Sequence, residues 1–127
     1  MGAYSIELPN QAERQALAEV WNGSSWSVMD AASPTTNTEL NAISCPSASF
    51  CVAVGQYVTS DGSAEQSLSE VWNGSTWAAI TAPSPSAASE LLGVSCTSQS
   101  FCAAVGRYNQ YGQQNSLAYD LTLIAEW

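Results

Sequence analysis

Short apolar runs separated by polar turn residues recur along the whole chain. The stretch ELLGVSC, which begins at Glu90, is typical of a β-strand. Strict alternation would place Leu91 on one face and Leu92, Val94 and Cys96 on the other. The next stretch, SFCAAVGRY, has a continuous apolar middle, which predicts a strand buried on both faces. No stretch combines helical periodicity with caps, so the pattern predicts an all-β fold.

Two further strands follow after a polar loop. In LSEVWNG, the alternation places Leu68, Glu70 and Trp72 on one face of a third strand. The Asn-Gly pair that ends this stretch predicts a tight turn of the type I′ kind, because both residues tolerate positive φ. The fourth strand, STWAAITA, is stopped by Pro83 and Pro85. Four short antiparallel strands and a Pro-rich link therefore make one unit.

The unit is written twice with an offset of 51 residues. SCPSASFCVAVG, which starts at Ser44, returns as SCTSQSFCAAVG, and LAEVWNGSSW returns as LSEVWNGSTW. Between 17–57 and 68–108, 23 of 41 aligned positions are identical. The terminal stretches match as well, since GAY near the start resembles GQY and GRY, and Leu123 and Trp127 are spaced like Leu68 and Trp72. The chain is therefore a tandem repeat with partial units at both ends.

A four-stranded unit of about 50 residues is typical of a β-propeller blade. The turn sequences Gly23-Ser24-Ser25-Trp26 and Gly74-Ser75-Thr76-Trp77 resemble the Gly-x-x-Trp half of the Asp-box repeats found in sialidase-type propellers. Two positions before each Gly, where that family has Asp, this chain has Trp21 and Trp72. The resemblance implies propeller blades with structural turns, and repeats with paired cysteines also resemble those of large secreted bacterial proteins.

The repeat predicts one domain of about two and a half blades. We expect a partial blade over 2–38, a full blade over 39–82 and a partial blade over 90–127, with three, four and three strands. A propeller needs about 4–8 blades to close. The apolar edges and faces left over predict partners, either a homo-oligomer in which the terminal LTLIAEW adds a strand to a neighbour's sheet, or further blades of a longer chain. An open array of stacked blades is the other alternative, and ten strands do not favour a simple ring of two-blade subunits.

The four cysteines fall at equivalent places in the two units. Cys45 and Cys51, like Cys96 and Cys102, would lie opposite each other across the first hairpin, within disulfide reach. The alternative is four buried free thiols in a cytosolic protein, and the Cys-x5-Cys spacing is not that of a zinc knuckle. Two disulfides would indicate an oxidising, extracellular compartment.

Composition then removes several function classes. The chain has 11 carboxylates, two arginines, no lysine and no histidine, for a net charge of -9. This charge argues against nucleic acid and against anionic membranes, and no apolar run is long enough for a membrane span. Without His, neither Ser-His-Asp nor Cys-His catalysis is available within the chain. We therefore predict a non-enzymatic protein with no cofactor and no metal.

The aromatic residues suggest where a ligand would bind. Indole faces stack on sugar rings, so Trp21 and Trp72 are candidates for glycan binding, although all repeated Trp residues also fit a role in packing. Tyr108 and Tyr111 flank a polar loop that departs most from the repeat. The preferred function is an extracellular structural or self-assembling module, and the alternative is a glycan-binding, lectin-like propeller subunit.

Overall fold

The computed structural model describes residues 2–8, 11–80, 82–109 and 120–126, with side chains described for 14–80 and 82–109. Within this part of the chain all regular structure is β, as predicted, and it contains no helix that could cross a membrane. The strands are β1 (Gly2–Leu8), β2 (Gln11–Trp21), β3 (Trp26–Met29), β4 (Thr38–Ser47), β5 (Phe50–Val58), β6 (Glu65–Trp72), β7 (Trp77–Ile80), β8 (Ser89–Ser98), β9 (Phe101–Asn109) and β10 (Asp120–Glu126).

These strands form three antiparallel sheets. Sheet 1 has the order β1-β2-β3, sheet 2 has the order β4-β5-β6-β7, and sheet 3 has the order β10-β9-β8. The predicted distribution of three, four and three strands is confirmed. Relative to sheet 2, sheet 1 lacks the strand equivalent to β4, and sheet 3 lacks the strand equivalent to β7, within the residues described.

The strand registers follow the sequence repeat. In sheet 2, Gly55 pairs with Leu68, and in sheet 3, Gly106 pairs with Leu123. In sheet 1, Gly2 pairs with Leu17. Since Leu17 and Leu68 are one repeat apart, β1 is the counterpart of β5, and β10 is the counterpart of β6. The match of both terminal stretches to the repeat is therefore confirmed.

The sheets are joined by two apolar cores. The first interface, between sheets 1 and 2, buries Ala18 against Leu40, Ala53, Leu68 and other apolar side chains. The second interface, between sheets 2 and 3, is built by a separate cluster, whose buried members are Val52, Val54, Leu91, Cys102 and Ala104. Sheet 2 is covered on both faces. Sheets 1 and 3 each have one face covered by sheet 2 and one outer face.

A β-bulge corrects the predicted faces of β8. The register shifts between Leu91 and Gly93, so the alternation restarts one residue later. As a result Val94 and Cys96 pack in the same cluster as Leu91, while Leu92 is 47% exposed. The alternating pattern alone therefore assigned Val94 and Cys96 to the wrong face.

The close approach behind this bulge depends on glycine. A Cβ atom on Gly106 would lie 1.9 Å from the backbone oxygen of Glu90, and one on Gly55 would lie 1.9 Å from the backbone oxygen of Glu39. Such distances are far inside van der Waals contact, so only glycine fits where the second strand of each unit passes the bulge of the first.

Both predicted disulfides are confirmed. Cys45 bonds to Cys51 with 4.1 Å between the Cα atoms, and Cys96 bonds to Cys102 with 4.0 Å. Each bond closes the hairpin between the first two strands of its unit. In the chain-entropy account, closing so short a loop stabilises the fold by about 2 kcal/mol. The two bonds are compatible with an extracellular protein.

The Asn-Gly turns are longer than a two-residue type I′ turn. Trp72 pairs with Trp77, which leaves a four-residue loop in which Gly74 has φ 97°. The Oδ1 atom of Asn73 accepts hydrogen bonds from the backbone N–H groups of Ser75 and Thr76, both at 2.9 Å. Asn22 does the same in sheet 1. An Asn one residue after the family's Asp position therefore closes this turn.

Candidate functional site

The residues proposed as ligand contacts lie in different parts of the stack. Trp21 lies on the outer face of sheet 1, and Trp72 lies at the first interface, where its Nε1 donates to the backbone oxygen of Ala48 at 3.3 Å. Tyr108 is partly buried against the second core. Tyr111 lies outside the described residues. The structure therefore does not gather Trp21, Trp72 and Tyr108 into one binding site.

The repeated tryptophans form the same pair twice, in two environments. The ring centroids of Trp21 and Trp26 are 5.5 Å apart, and those of Trp72 and Trp77 are 5.8 Å apart, both tilted. Trp26 is 64% exposed, whereas Trp77 is 9% exposed. The difference arises because sheet 1 and the segment after it cover Trp77, while no second sheet of the described residues packs on Trp26. A large indole surface is thus buried in one copy of the repeat and left in solvent in the other.

A cleft of about 470 Å³ opens beside the covered pair. It lies between the end of sheet 1 and the turn of sheet 2, and its walls are Met29, Asp30, Ala31, Ala32, Trp72, Ser75, Thr76 and Trp77. The described residues contain no cluster of cysteines and carboxylates that could hold a metal ion. The polar groups on the walls of the cleft belong to Ser75 and Thr76, in the hydrogen-bonded turn, and to the carboxylate of Asp30.

Glu70 is an acidic residue that is buried between two sheets. Its side chain is fully buried at the first interface, on the face that carries Leu68 and Trp72. The Oε2 atom accepts one hydrogen bond, from the backbone N–H of Ala32 at 3.2 Å. The Oε1 atom is buried with no hydrogen-bond partner, as is Nε1 of Trp77. The carboxyl group is therefore only half satisfied.

Burial governs the protonation of this group. Desolvation raises the pKa of Glu70 from 4.5 to about 7, and the hydrogen bond from Ala32 lowers it by less. A carboxyl with a pKa near neutrality is the kind of group that general acid–base catalysis uses. Here, however, the carboxyl oxygens are sealed between two sheets, out of reach of a substrate in the cleft. The geometry is that of a buried structural contact.

The second interface lacks both members of this contact. The strand register places Ala125 at the position of Glu70, because Ala104 pairs with Ala125 as Ala53 pairs with Glu70. One repeat after Ala32 the chain has Pro83, which has no N–H group to donate. The carboxylate acceptor and the N–H donor are thus both replaced at the second interface. This indicates that Glu70 and Ala32 act as a pair.

The outer face of sheet 1 carries the exposed counterparts of buried residues. It presents Glu19, Trp21, Trp26 and Val28, and we define it by these four residues. Trp26 and Val28 are 64% and 70% exposed. Glu19 and Trp21 are the repeat equivalents of Glu70 and Trp72, which sheet 1 helps to bury. This face therefore has the composition of an inter-sheet interface, and no sheet of the described residues covers it.

The outer face of sheet 3 also exposes counterparts of buried residues. We define this face by Phe101, Ala103 and Val105. Val105 is 49% exposed, but its repeat equivalent Val54 is fully buried in the second core. Phe101 is 45% exposed, while Phe50 packs against that core. The prediction that SFCAAVGRY is buried on both faces is therefore wrong, because β9 is buried mainly on the face toward sheet 2. Its repeat equivalent β5 is buried on both faces. The stack therefore ends in two apolar faces, one that repeats the Trp77 face of sheet 2 and one that repeats its Val54 face.

The two arginines of the chain lie in a band of charge along the side of the stack. Arg14 in sheet 1 bridges to Glu39 in sheet 2 at 2.9 Å, and Arg107 bridges to Glu90 within sheet 3. Burial, followed by repulsion from Glu90 and Glu39, raises the pKa of Glu65 between them. The arginines are thus engaged with the protein's own carboxylates.

Comparison of this chain with known protein families, characterised proteins and solved structures found no match.

Proposed function

We propose that the protein is a non-enzymatic, extracellular structural module that assembles through its unpartnered sheet faces as a β-propeller-like stack. The single observation that carries this proposal is the contrast between Trp26 and Trp77, which occupy equivalent turns and are 64% and 9% exposed. Burying the exposed part of an indole contributes about 25 cal/mol per Å² of apolar area, so the outer face gains free energy when another sheet covers it.

The opposite ends of the stack support the same proposal. Each outer face has a buried counterpart inside the molecule, so the packing that each requires is already realised at an internal interface. Exposed apolar patches of this kind are typical of protein–protein interaction sites. The two disulfides support a location in an oxidising environment, where a stack of small units benefits from covalent bonds.

Trp26→Ser tests the assembly proposal. Since Trp26 is largely exposed in the single chain, we expect the variant to keep its fold and to lose self-association, raising the apparent dissociation constant at least tenfold. Size-exclusion chromatography with light scattering would measure the mass across a concentration series, and circular dichroism would check the fold. Ser24→Ala in the same exposed turn is the control and should associate like the parent. A parent protein that stays at 13.4 kDa at millimolar concentration would contradict the proposal.

A glycan-binding subunit is the second candidate. The observation that favours it is the exposed Trp21–Trp26 pair, whose tilted rings present apolar surface beside the polar Asn22 turn. If this function holds, the parent protein should bind members of a glycan array, and Trp21→Ala should reduce that binding at least tenfold. Trp72→Ala, at the covered pair, is the comparison variant and should have a smaller effect. An array without signal would rule this candidate out.

A further inference from the structure

We infer that two copies of this chain join head to tail into a six-sheet ring, in which the outer face of sheet 3 of each copy packs on the outer face of sheet 1 of the other and buries Glu19. This inference rests on the proposed self-assembly and names its partner, its stoichiometry and a group that controls it. The occupant of each outer face is a second copy because the repeat provides the complementary face on the same chain.

The two outer faces match the two sides of an internal interface. Inside the molecule, the face of sheet 2 that carries Val54 packs on sheet 3, and the face of sheet 2 that carries Trp77 packs on sheet 1. On the outer face of sheet 3, Val105 occupies the repeat position of Val54. On the outer face of sheet 1, Trp26 occupies the repeat position of Trp77. A junction between the two copies would therefore repeat the pattern of an internal interface. Such a contact is heterologous and generates a ring when its rotation closes.

The number of sheets in one chain limits the number of copies in a ring. Propellers close with about 4–8 blades. The described residues of one chain supply three sheets, so two copies supply six and three copies supply nine. With each described sheet counted as one position in the ring, two copies fall within this range and three copies exceed it. The ring therefore contains two chains and two equivalent junctions.

Glu19 would be buried at this junction. It occupies the repeat position of Glu70 but lies on an exposed face. At the junction it would be covered as Glu70 is covered, yet the described part of a second copy offers no counterpart of the Ala32 N–H, because sheet 3 has no described strand equivalent to β7. A carboxylate that is buried without this donor is disfavoured, so the junction would take up a proton at Glu19. Assembly should therefore be favoured by acid.

The other charged groups at the junction do not reverse this direction. On the second copy, the outer face of sheet 3 continues to Arg107, which is already bridged to Glu90. The register of β10 places Asp120 and Glu126 opposite Asn109 and Ala103, and these are further acidic residues. Beside Glu19, the acidic Asp30 follows β3, and Arg14 is bridged to Glu39. Added carboxylates make proton uptake at Glu19 more favourable.

The test is sedimentation velocity on the full chain between pH 5.5 and pH 8, with the parent protein, Glu19→Gln and Glu70→Gln. We expect a species of about twice the 13.4 kDa chain mass, with a dissociation constant at least tenfold lower at pH 5.5 than at pH 8. Glu19→Gln should associate at least tenfold more tightly than the parent at pH 8 and lose most of the pH dependence. Glu70→Gln, at the internal interface, should keep the parent's pH dependence.

The outcomes separate the two proposals. A monomer under all conditions overturns both the ring and the proposed self-assembly. A dimer whose affinity is unchanged by Glu19→Gln keeps self-assembly but overturns this junction. Trimers or open filaments, which light scattering would identify, keep self-assembly and overturn the six-sheet ring. Circular dichroism of each variant checks that a change in association does not reflect unfolding.

Discussion

Gly55→Ala is expected to destabilise the protein by at least about 3 kcal/mol, and it has the largest effect of the substitutions considered. The added Cβ atom would lie 1.9 Å from the backbone oxygen of Glu39 and 2.9 Å from the Cα of Leu40. Both atoms belong to the backbone of the paired strand, so no side-chain rotation relieves the overlap. Relief requires β4 and β5 to separate at the bulge beside Leu40, where the first core packs. Urea denaturation followed by tryptophan fluorescence would measure the loss.

Gly93→Ala is the matched control. Gly93 also lies in a strand beside a bulge, but the nearest heavy atom to its Cβ would be Cγ2 of Val105, at 3.4 Å. This is a side-chain contact at the edge of ordinary van der Waals distance, so we expect a change of less than about 1 kcal/mol. If Gly55→Ala were as stable as Gly93→Ala, the close approach of β4 and β5 would not be required by the fold.

The strands could be predicted from the sequence because their signals are local. Alternation, Asn-Gly turns and prolines each act over a few residues, and the repeat supplied every signal twice. The register of the terminal strands could also be predicted, since Leu123 and Leu17 occupy the repeat position of Leu68. The bulge beside Leu92 could not, because it depends on how Gly106 fits against the backbone of Glu90 and Leu91 across the sheet.

Exposure was harder to predict than strand position, because it depends on which sheet lies next in space. Val54 and Val105 have nearly the same neighbours in sequence, yet one is fully buried and the other is 49% exposed. The same holds for Trp77 and Trp26. The alternating pattern shows which residues share one face of a strand. Only the three-dimensional stack shows which of these faces are covered.

The sequence pattern contains a signal for the burial of Glu70. Alternation placed it on one face of β6 between Leu68 and Trp72, which is the apolar face. A charged residue between two large apolar residues on one face must be either exposed or neutralised. Nothing local in the sequence indicated its partner Ala32, which lies 38 residues away.

The stability of the protein should fall as the pH rises through the range set by Glu70. Its pKa is 4.5 ordinarily and about 7 in the folded protein. Between these values the folded state holds a proton that the unfolded state has released, so raising the pH favours unfolding. Below 4.5 both states are protonated and the penalty is absent. Above 7 the penalty is complete and amounts to about 3 kcal/mol by linkage.

Glu70→Gln isolates this contribution because the amide stays neutral at every pH. The free energy of unfolding of the variant, measured in urea at micromolar protein and several pH values from 4.5 to 8, should lack the decline that Glu70 causes in the parent. The free energy of unfolding of the variant should therefore increase relative to that of the parent as the pH rises. The unpartnered amide left in place of Oε1 lowers the stability of the variant at all pH values. Glu65 titrates in both proteins and cancels in the difference.

Glu19→Gln, on the outer face, should follow the parent curve while the chains are monomeric. Parallel curves for the parent and Glu70→Gln would show that the folded protein accommodates the ionised carboxylate, which would require a second donor for Oε1.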